Sequence, residues 1–323
     1  MIAFRRVLCP VDTSEFSTRA LEHAVALGRW YGAEVTVLFV RPLGLPPALW
    51  FGAPTALPLA EPHEREMTAG AIRDYVRDAT GAEPAVLVSE GPVVAEILRV
   101  AGELPADLIV MGTHGASGFE RLLLGSVTEK TLRKATCPVL TVPRPVEGKE
   151  PPHVTFGTIV CGVDRSAASR RALAYALSLS QEAGGRLVLV HAVEDLSEED
   201  ARFAGHFNTP ECLREIAPAI RTDYEALVPE EARDWCRLEV RVPQGKPYRE
   251  LLEVSRDTSA DLIVVGTSGA SMPFGTTTQH VLRESRCPVL AVPAGPAEGN
   301  STAGPGADRY AIGSGPPIIS QDM

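Results

Sequence analysis

No apolar run in these 323 residues approaches the roughly 18 that a membrane span requires, so a membrane protein is excluded. The opening Met1-Ile2-Ala3-Phe4-Arg5-Arg6-Val7 reaches Asp12 before the apolar core of an export signal can form, and the expected compartment is the cytoplasm. No cluster of Lys and Arg stands out. A formal net charge of −10 repels nucleic-acid backbones and anionic lipid, so neither nucleic acid nor membrane is an expected partner. The six cysteines (Cys9, Cys137, Cys161, Cys212, Cys236 and Cys287) contain no Cys-x-x-Cys spacing, which removes the usual zinc and dithiol patterns and leaves them reduced and structural. Also absent is Gly-x4-Gly-Lys-(Ser/Thr), the phosphate loop common among nucleotide hydrolases.

What is present is a chain too long for one hydrophobic core, with ordinary composition: 45% hydrophobic and 22% charged residues. Two domains of roughly 150 residues are expected. The halves repeat one another. Cys9-Pro10-Val11-Asp12-Thr13-Ser14 recurs as Cys161-Gly162-Val163-Asp164-Arg165-Ser166, and Arg19-Ala20-Leu21 as Arg171-Ala172-Leu173. Gly91 and Glu96 correspond to Gly245 and Glu250. Ala106-Asp107-Leu108-Ile109-Val110-Met111-Gly112-Thr113 returns as Ala260-Asp261-Leu262-Ile263-Val264-Val265-Gly266-Thr267, and Cys137-Pro138-Val139-Leu140 as Cys287-Pro288-Val289-Leu290.

In each copy short β-branched apolar runs alternate with helical patterns, the mark of βαβ units and a parallel sheet covered on both faces. The first copy predicts strands at 6–11, 34–40, 85–89, 108–112 and 139–142. Ala20, Leu21, Ala24, Val25 and Leu27 share one helical face, as do Leu173, Ala176 and Leu177. The fold class is α/β, two tandem doubly wound parallel-sheet domains. The Pro-rich, charged stretch 145–156 reads as a linker between domains at 1–144 and 157–293, and the Gly, Pro, Ala and Ser of 294–323 as a disordered tail. Residues 42–62, rich in proline with Trp50 and Phe51, form either a long ordered lid or a surface that packs on a partner.

In an open parallel sheet ligands bind at the carboxyl ends of the strands where strand order reverses, which directs attention to the segments after the first and fourth strands. After the fourth comes Gly112-Thr113-His114-Gly115, nine residues, then Gly125-Ser126-Val127-Thr128-Glu129 opening a helix. Glycine permits close backbone approach, and a helix start offers unpaired amides with partial positive charge, a combination suited to polyphosphate. A second reading of Ser126 stands beside this one, because Ser126-x-x-Glu129 matches a capping box that needs no ligand.

These residues resemble the ATP-binding type of the universal stress protein family, whose pattern Gly-x2-Gly-x9-Gly-(Ser/Thr) is met without departure at Gly112, Gly115, Gly125 and Ser126. Pro10-Val11-Asp12-x-Ser14, Leu122-Leu123-Leu124-Gly125-Ser126-Val127-Thr128-Glu129-Lys130 and Cys137-Pro138-Val139-Leu140 carry the same likeness, which leaves out only linker and tail. The resemblance implies a Rossmann-like, adenine nucleotide alpha-hydrolase-like fold. It implies that Pro10, Val11, Asp12 and Val40 surround adenine and ribose, that Met111 and Gly112 line the nucleotide, and that Gly115, Gly125, Ser126 and Val127 hold phosphates bridged by Mg²⁺ or Mn²⁺. The metal is then held by the phosphates and not by protein side chains. The competing readings are a turn or N-cap for Asp12 and core packing for Val40 and Met111, while an exposed His114 meets either phosphate or water. The resemblance further implies pairing of the final strands, 138–142 and 288–292, within the chain or in a homodimer, since bare apolar edges are otherwise left.

The second copy departs from the pattern. Gly266-Thr267-Ser268-Gly269 is followed by five residues, then Gly275-Thr276, so its loop is four residues shorter; Ala192 replaces Val40 and Gly162 replaces Pro10. It offers either a weaker site at Asp164, Gly266, Gly269, Gly275 and Thr276 or only a built-in dimer partner. Three functions compete: an ATP-binding regulatory or protective protein of the stress response that acts on a protein partner, a slow ATPase or phosphotransferase, and a dimerisation scaffold without nucleotide. No base or charge-neutralising Lys stands beside the loop to favour the enzyme, and the intact glycine pattern disfavours the scaffold.

Overall fold

The computed structural model of the protein describes residues 2–42, 62–114, 124–144, 154–194, 210–267 and 275–295. The first half runs β1 (Arg6–Val11), α1 (Glu15–Tyr31), β2 (Glu34–Arg41), α2 (Pro62–Thr80), β3 (Ala85–Glu90), α3 (Val93–Glu103), β4 (Leu108–Gly112), α4 (Ser126–Lys134) and β5 (Val139–Val142). The second runs β6 (Thr158–Gly162), α5 (Ala167–Ala183), β7 (Arg186–Val190), α6 (Pro210–Glu225), α7 (Ala232–Trp235), β8 (Arg237–Arg241), α8 (Pro247–Asp257), β9 (Leu262–Thr267), α9 (Thr276–Glu284) and β10 (Val289–Pro293). The five strands expected in the first half are all present, with β2 and β3 each one residue longer than the pattern predicts. The expected lid, linker and tail lie wholly or largely outside the described residues.

Local chemistry sets the helices. Ser14 caps α1 by accepting the Ser17 N–H at 3.3 Å, Glu15 follows in the first turn, and Ala20, Leu21, Ala24, Val25 and Leu27 are buried along one face. The helix stops at Gly32, whose φ of 61° suits glycine. In the second half Ser166 caps α5 through the Ser169 N–H at 3.1 Å.

Among the described residues ten strands make one sheet in the order β3-β2-β1-β4-β5-β10-β9-β6-β7-β8. All neighbours are parallel except the central pair, β5 and β10, where Leu140 stands opposite Leu290 and Thr141 opposite Val289. Helices cover both faces, which is why β4 is buried at every residue and its sequence does not alternate. On one face Cys9, Val37, Val110 and their second-half counterparts Cys161, Leu189 and Val264 pack under α1, α2, α5 and α6. On the other, Leu8, Leu38 and Ile109 join Val160, Val190 and Ile263 beneath α3, α4, α8 and α9. Each core therefore runs through both halves, and burial pushes the Cys9 thiol up to about 12. The described cysteines are free, and the side chain of Cys212 lies outside the described residues.

The halves also meet through aromatic rings. Phe4 stacks on Tyr175 with centroids 5.8 Å apart, Trp30 meets Phe156 edge-on at 5.4 Å, and Ser178 Oγ donates to the Ile2 carbonyl at 2.5 Å. No described helix is long and apolar enough to cross a membrane.

The first-half residue in the position of Tyr175 is His23, whose Nδ1–H donates to the Arg19 carbonyl at 2.8 Å. Burial pushes its pKa down from 6.5 to about 4. The unfolded chain then takes up a proton that the folded one refuses, so the stability from neutral His23 is complete above pH 6.5 and falls away as pH drops toward about 4. Linkage makes this roughly 3 kcal/mol. Thermal unfolding of His23→Gln across that window should show a shallower loss than the parent chain; parallel curves contradict the assignment.

Candidate functional site

In the first half strand order reverses between β1 and β4, so the turn into α1 and the segment into α4 face each other across the carboxyl edge of the sheet. These are the places the sequence singled out. Val11, Val40, Met111 and Gly112 are buried, Pro10, Asp12, Gly125 and Val127 are half-buried, and Ser126 is exposed. Gly115 lies outside the described residues. The Val40 and Met111 side chains belong to the core beneath α3 and α4, so at the crevice these positions present chiefly backbone.

Asp12 shapes the turn. Its N–H donates to Ser17 Oγ at 2.9 Å, while Oδ1 accepts the Ser14 N–H at 3.1 Å and the Ser14 hydroxyl at 2.5 Å, with the Ser17 hydroxyl close on the same oxygen. Asp164 does the same work, accepting from the Ser166 N–H at 2.8 Å and donating its own N–H to Ser169 Oγ at 2.8 Å. The N-cap is the following serine in each half, not the aspartate. Thr13 holds a left-handed φ of 62°, so the first half carries backbone strain at the crevice.

Gly112 has a structural reason that the spacing did not reveal. A Cβ there would stand 2.8 Å from Phe16 Cβ and 2.9 Å from the Phe16 carbonyl oxygen, so only glycine lets α1 settle on β4. At Gly266 a Cβ would meet the Ala168 carbonyl carbon at 2.6 Å. The repeated glycine is thus required by packing in both halves.

The capping-box expectation for Ser126 does not hold. Gly125 occupies the N-cap position and offers no side chain, Ser126 is the first helical residue, and Glu129 pairs with Arg133 at 2.8 Å instead of reaching back. Among the described residues no side chain caps the first amides of α4, which carry the partial positive charge of a helix start. Two bonds hold this helix start in place: the Gly125 N–H donates to the Thr113 carbonyl at 2.8 Å, and buried Thr128 Oγ1 donates to the Gly112 carbonyl at 2.8 Å. Thr278 repeats the second bond to Gly266 at 3.1 Å. The shared Thr at the third helical position was the available sign of this tether. The α9 start likewise has Gly275 as N-cap without a side-chain bond, with Gly275 and Thr276 exposed and Gly269 outside the described residues.

His114 packs against the first turn of α1. Its ring lies 5.2 Å from that of Phe16, and its Nδ1 is 3.0 Å from Thr113 Oγ1. Nε2 is buried without a hydrogen-bond partner among the described residues, and the His114 Cα lies against Gly125, 3.3 Å from where a Cβ there would stand. Lys130 is exposed on α4. Among the described residues no group of three or more His, Cys, Asp or Glu gathers as a metal site.

A family model described as the Universal stress protein family matches residues 3–143 and again 155–293. A universal stress protein of Methanocaldococcus jannaschii is 33% identical over 144 residues, spanning 44% of this chain and 84% of that protein. One from Mycobacterium tuberculosis strain H37Rv is 27% identical over 245 residues, 71% of this chain and 77% of its own. The crystal structure of a universal stress protein from Archaeoglobus fulgidus superposes with a TM-score of 0.63 at 23% identity, covering 90% of this chain and 98% of that one, which shows the fold.

Thr128→Val keeps the shape but leaves the Gly112 carbonyl without its buried donor, an expected loss of about 1–3 kcal/mol that Thr128→Ser should largely restore. Denaturant unfolding of both variants checks this; equal stability of Thr128→Val and the parent chain contradicts the tether.

Proposed function

We propose that this chain, which belongs to the universal stress protein family, binds ATP in the crevice of its first domain and acts as a nucleotide-dependent regulator in the stress response. The observation that carries the reading is that, among the described residues, the start of α4 has no side-chain cap and Nε2 of the adjacent His114 has no hydrogen-bond partner. Both are unmet hydrogen-bonding groups that a phosphate oxygen suits. In this reading Pro10, Val11, Asp12 and Val40 border adenine and ribose, Met111 and Gly112 line the nucleotide's path, and Gly115, Gly125, Ser126 and Val127 receive the phosphates. Mg²⁺ or Mn²⁺, carried by the phosphates, would neutralise their charge.

Regulation is favoured over hydrolysis by what surrounds the amides. Lys130 is exposed on the helix flank, and Asp12 Oδ1 is committed to the α1 turn and is not poised as a base. A protein partner then reads nucleotide occupancy through differential affinity for two states. The domains lie at 1–144 and 157–293 about a linker at 145–156, with β5 and β10 making the chain an intramolecular pseudo-dimer in the cytoplasm. The second domain contributes a weaker site at most. Its β7 stops at Val190, before Ala192, and its loop is shorter.

Calorimetric titration with ATP and Mg²⁺ tests the reading. One dominant site per chain is expected. Ser126→Asp should keep or raise thermal stability, because a carboxylate suits a helix start, yet weaken ATP binding at least tenfold, on the order expected when like charges meet in a partly desolvated site. Unchanged affinity in a stable Ser126→Asp variant, or two equal sites, contradicts it.

A further inference from the structure

The second half holds a cavity of about 430 Å³ between the β6–α5 turn, the end of β7 and α6. It lies on the α5 and α6 face of the sheet, opposite the face where Val265 packs beneath α8 and α9. In the first half the corresponding place holds bulkier and mutually bonded side chains. There Phe39 is fully buried, and Thr18 Oγ1 and the Tyr75 hydroxyl bond at 2.8 Å. Register makes His191 the equivalent of Phe39, and the repeat makes Arg165 and Arg170 the equivalents of Thr13 and Thr18. The opening is thus a product of substitutions in the second copy.

The His191 and Tyr224 rings lie 4.7 Å apart along one wall. His191 Nδ1 is 2.9 Å from the Val163 carbonyl and 2.9 Å from the Tyr224 hydroxyl. A carbonyl oxygen only accepts, so Nδ1 carries the proton and has no lone pair for the phenol. The Tyr224 hydroxyl hydrogen is left for another acceptor. Ile220 and Leu227 extend the apolar wall.

Four charges surround the opening: Arg165, Arg170, Asp164 and Asp223. Arg170 Nη1 donates to the Arg165 carbonyl at 2.7 Å, and Asp164 Oδ1 accepts the Ser166 N–H, but none of the four forms an ion pair with a charged side chain among the described residues. A simple anion would meet the aspartates, and a simple cation the arginines. A molecule with one charge of each sign and an apolar body satisfies the whole set.

We propose that this cavity binds a free α-amino acid with an apolar side chain, its carboxylate toward Arg165 and Arg170, its ammonium toward Asp164 and Asp223, and its side chain along Ile220, Leu227 and the His191–Tyr224 pair. The size falls in the range of small-molecule sites. The proposal stands independently of nucleotide binding in the first domain.

Titration calorimetry on the full chain with L-leucine, L-phenylalanine, phenylacetate, phenethylamine and ATP tests it. Saturable binding of L-leucine or L-phenylalanine, one per chain, is expected, with phenylacetate and phenethylamine at least tenfold weaker. Arg170→Ala and Asp223→Asn should each weaken amino-acid binding at least tenfold, and His191→Phe, which restores the first copy's residue, should abolish it; all three should leave ATP affinity unchanged. No saturable binding of either amino acid overturns the proposal. Phenylacetate binding as tightly overturns it in favour of a plain anion site, and displacement of the amino acid by ATP assigns the cavity to a nucleotide.

Discussion

The crevice depends on one missing side chain. At Gly112 the backbone of β4 touches the first turn of α1 through Phe16 on one side and receives the Thr128 hydroxyl from α4 on its carbonyl. Both walls of the crevice are referenced to this residue. A methyl group there would push α1 outward and carry the Asp12 turn with it, because Ser14 and Ser17 bind that turn to the helix. The same contact at Gly266 and the same tether from Thr278 explain why the second half retains the architecture while its loop shortens.

A second constraint acts across the molecule. A five-stranded unit ending in the fully buried β5 would expose a short, apolar edge, and β10 covers it in antiparallel register around Leu140 and Leu290. The two halves are thereby fixed in one sheet with two continuous cores, and Phe4 and Phe156 lock each to its neighbour through Tyr175 and Trp30. Duplication then releases the copies from identical duties. Phe39 closes a space that His191 leaves open, and Tyr175 stacks where His23 lies buried and neutral.

The strands were legible because burial on both faces writes them as unbroken apolar runs, and the repeat was legible because it can be read within one chain. Less legible were the reasons behind individual residues. Gly112 was marked by spacing as a ligand glycine, yet the atom that demands it belongs to Phe16, brought near only by packing. The Ser-x-x-Glu pattern at Ser126 misled because Gly125 takes the cap position one residue earlier. Thr128 passed unnoticed, since a hydroxyl bonded to a carbonyl 16 residues away leaves no periodic trace. The charges at Arg165 and Asp223 are unremarkable until α6 brings them to one opening.

The most direct test of the account is a backbone amide spectrum of the isotopically labelled chain, recorded as ATP and Mg²⁺ are added. The uncapped amides of α4 predict that Ser126, Val127 and Thr128 shift most and saturate together, while Thr276 and Thr277 at the start of α9 move little at the same concentration. Saturating shifts that leave the Ser126 to Thr128 amides in place, or that fall equally on both helix starts, would contradict the assignment of the crevice.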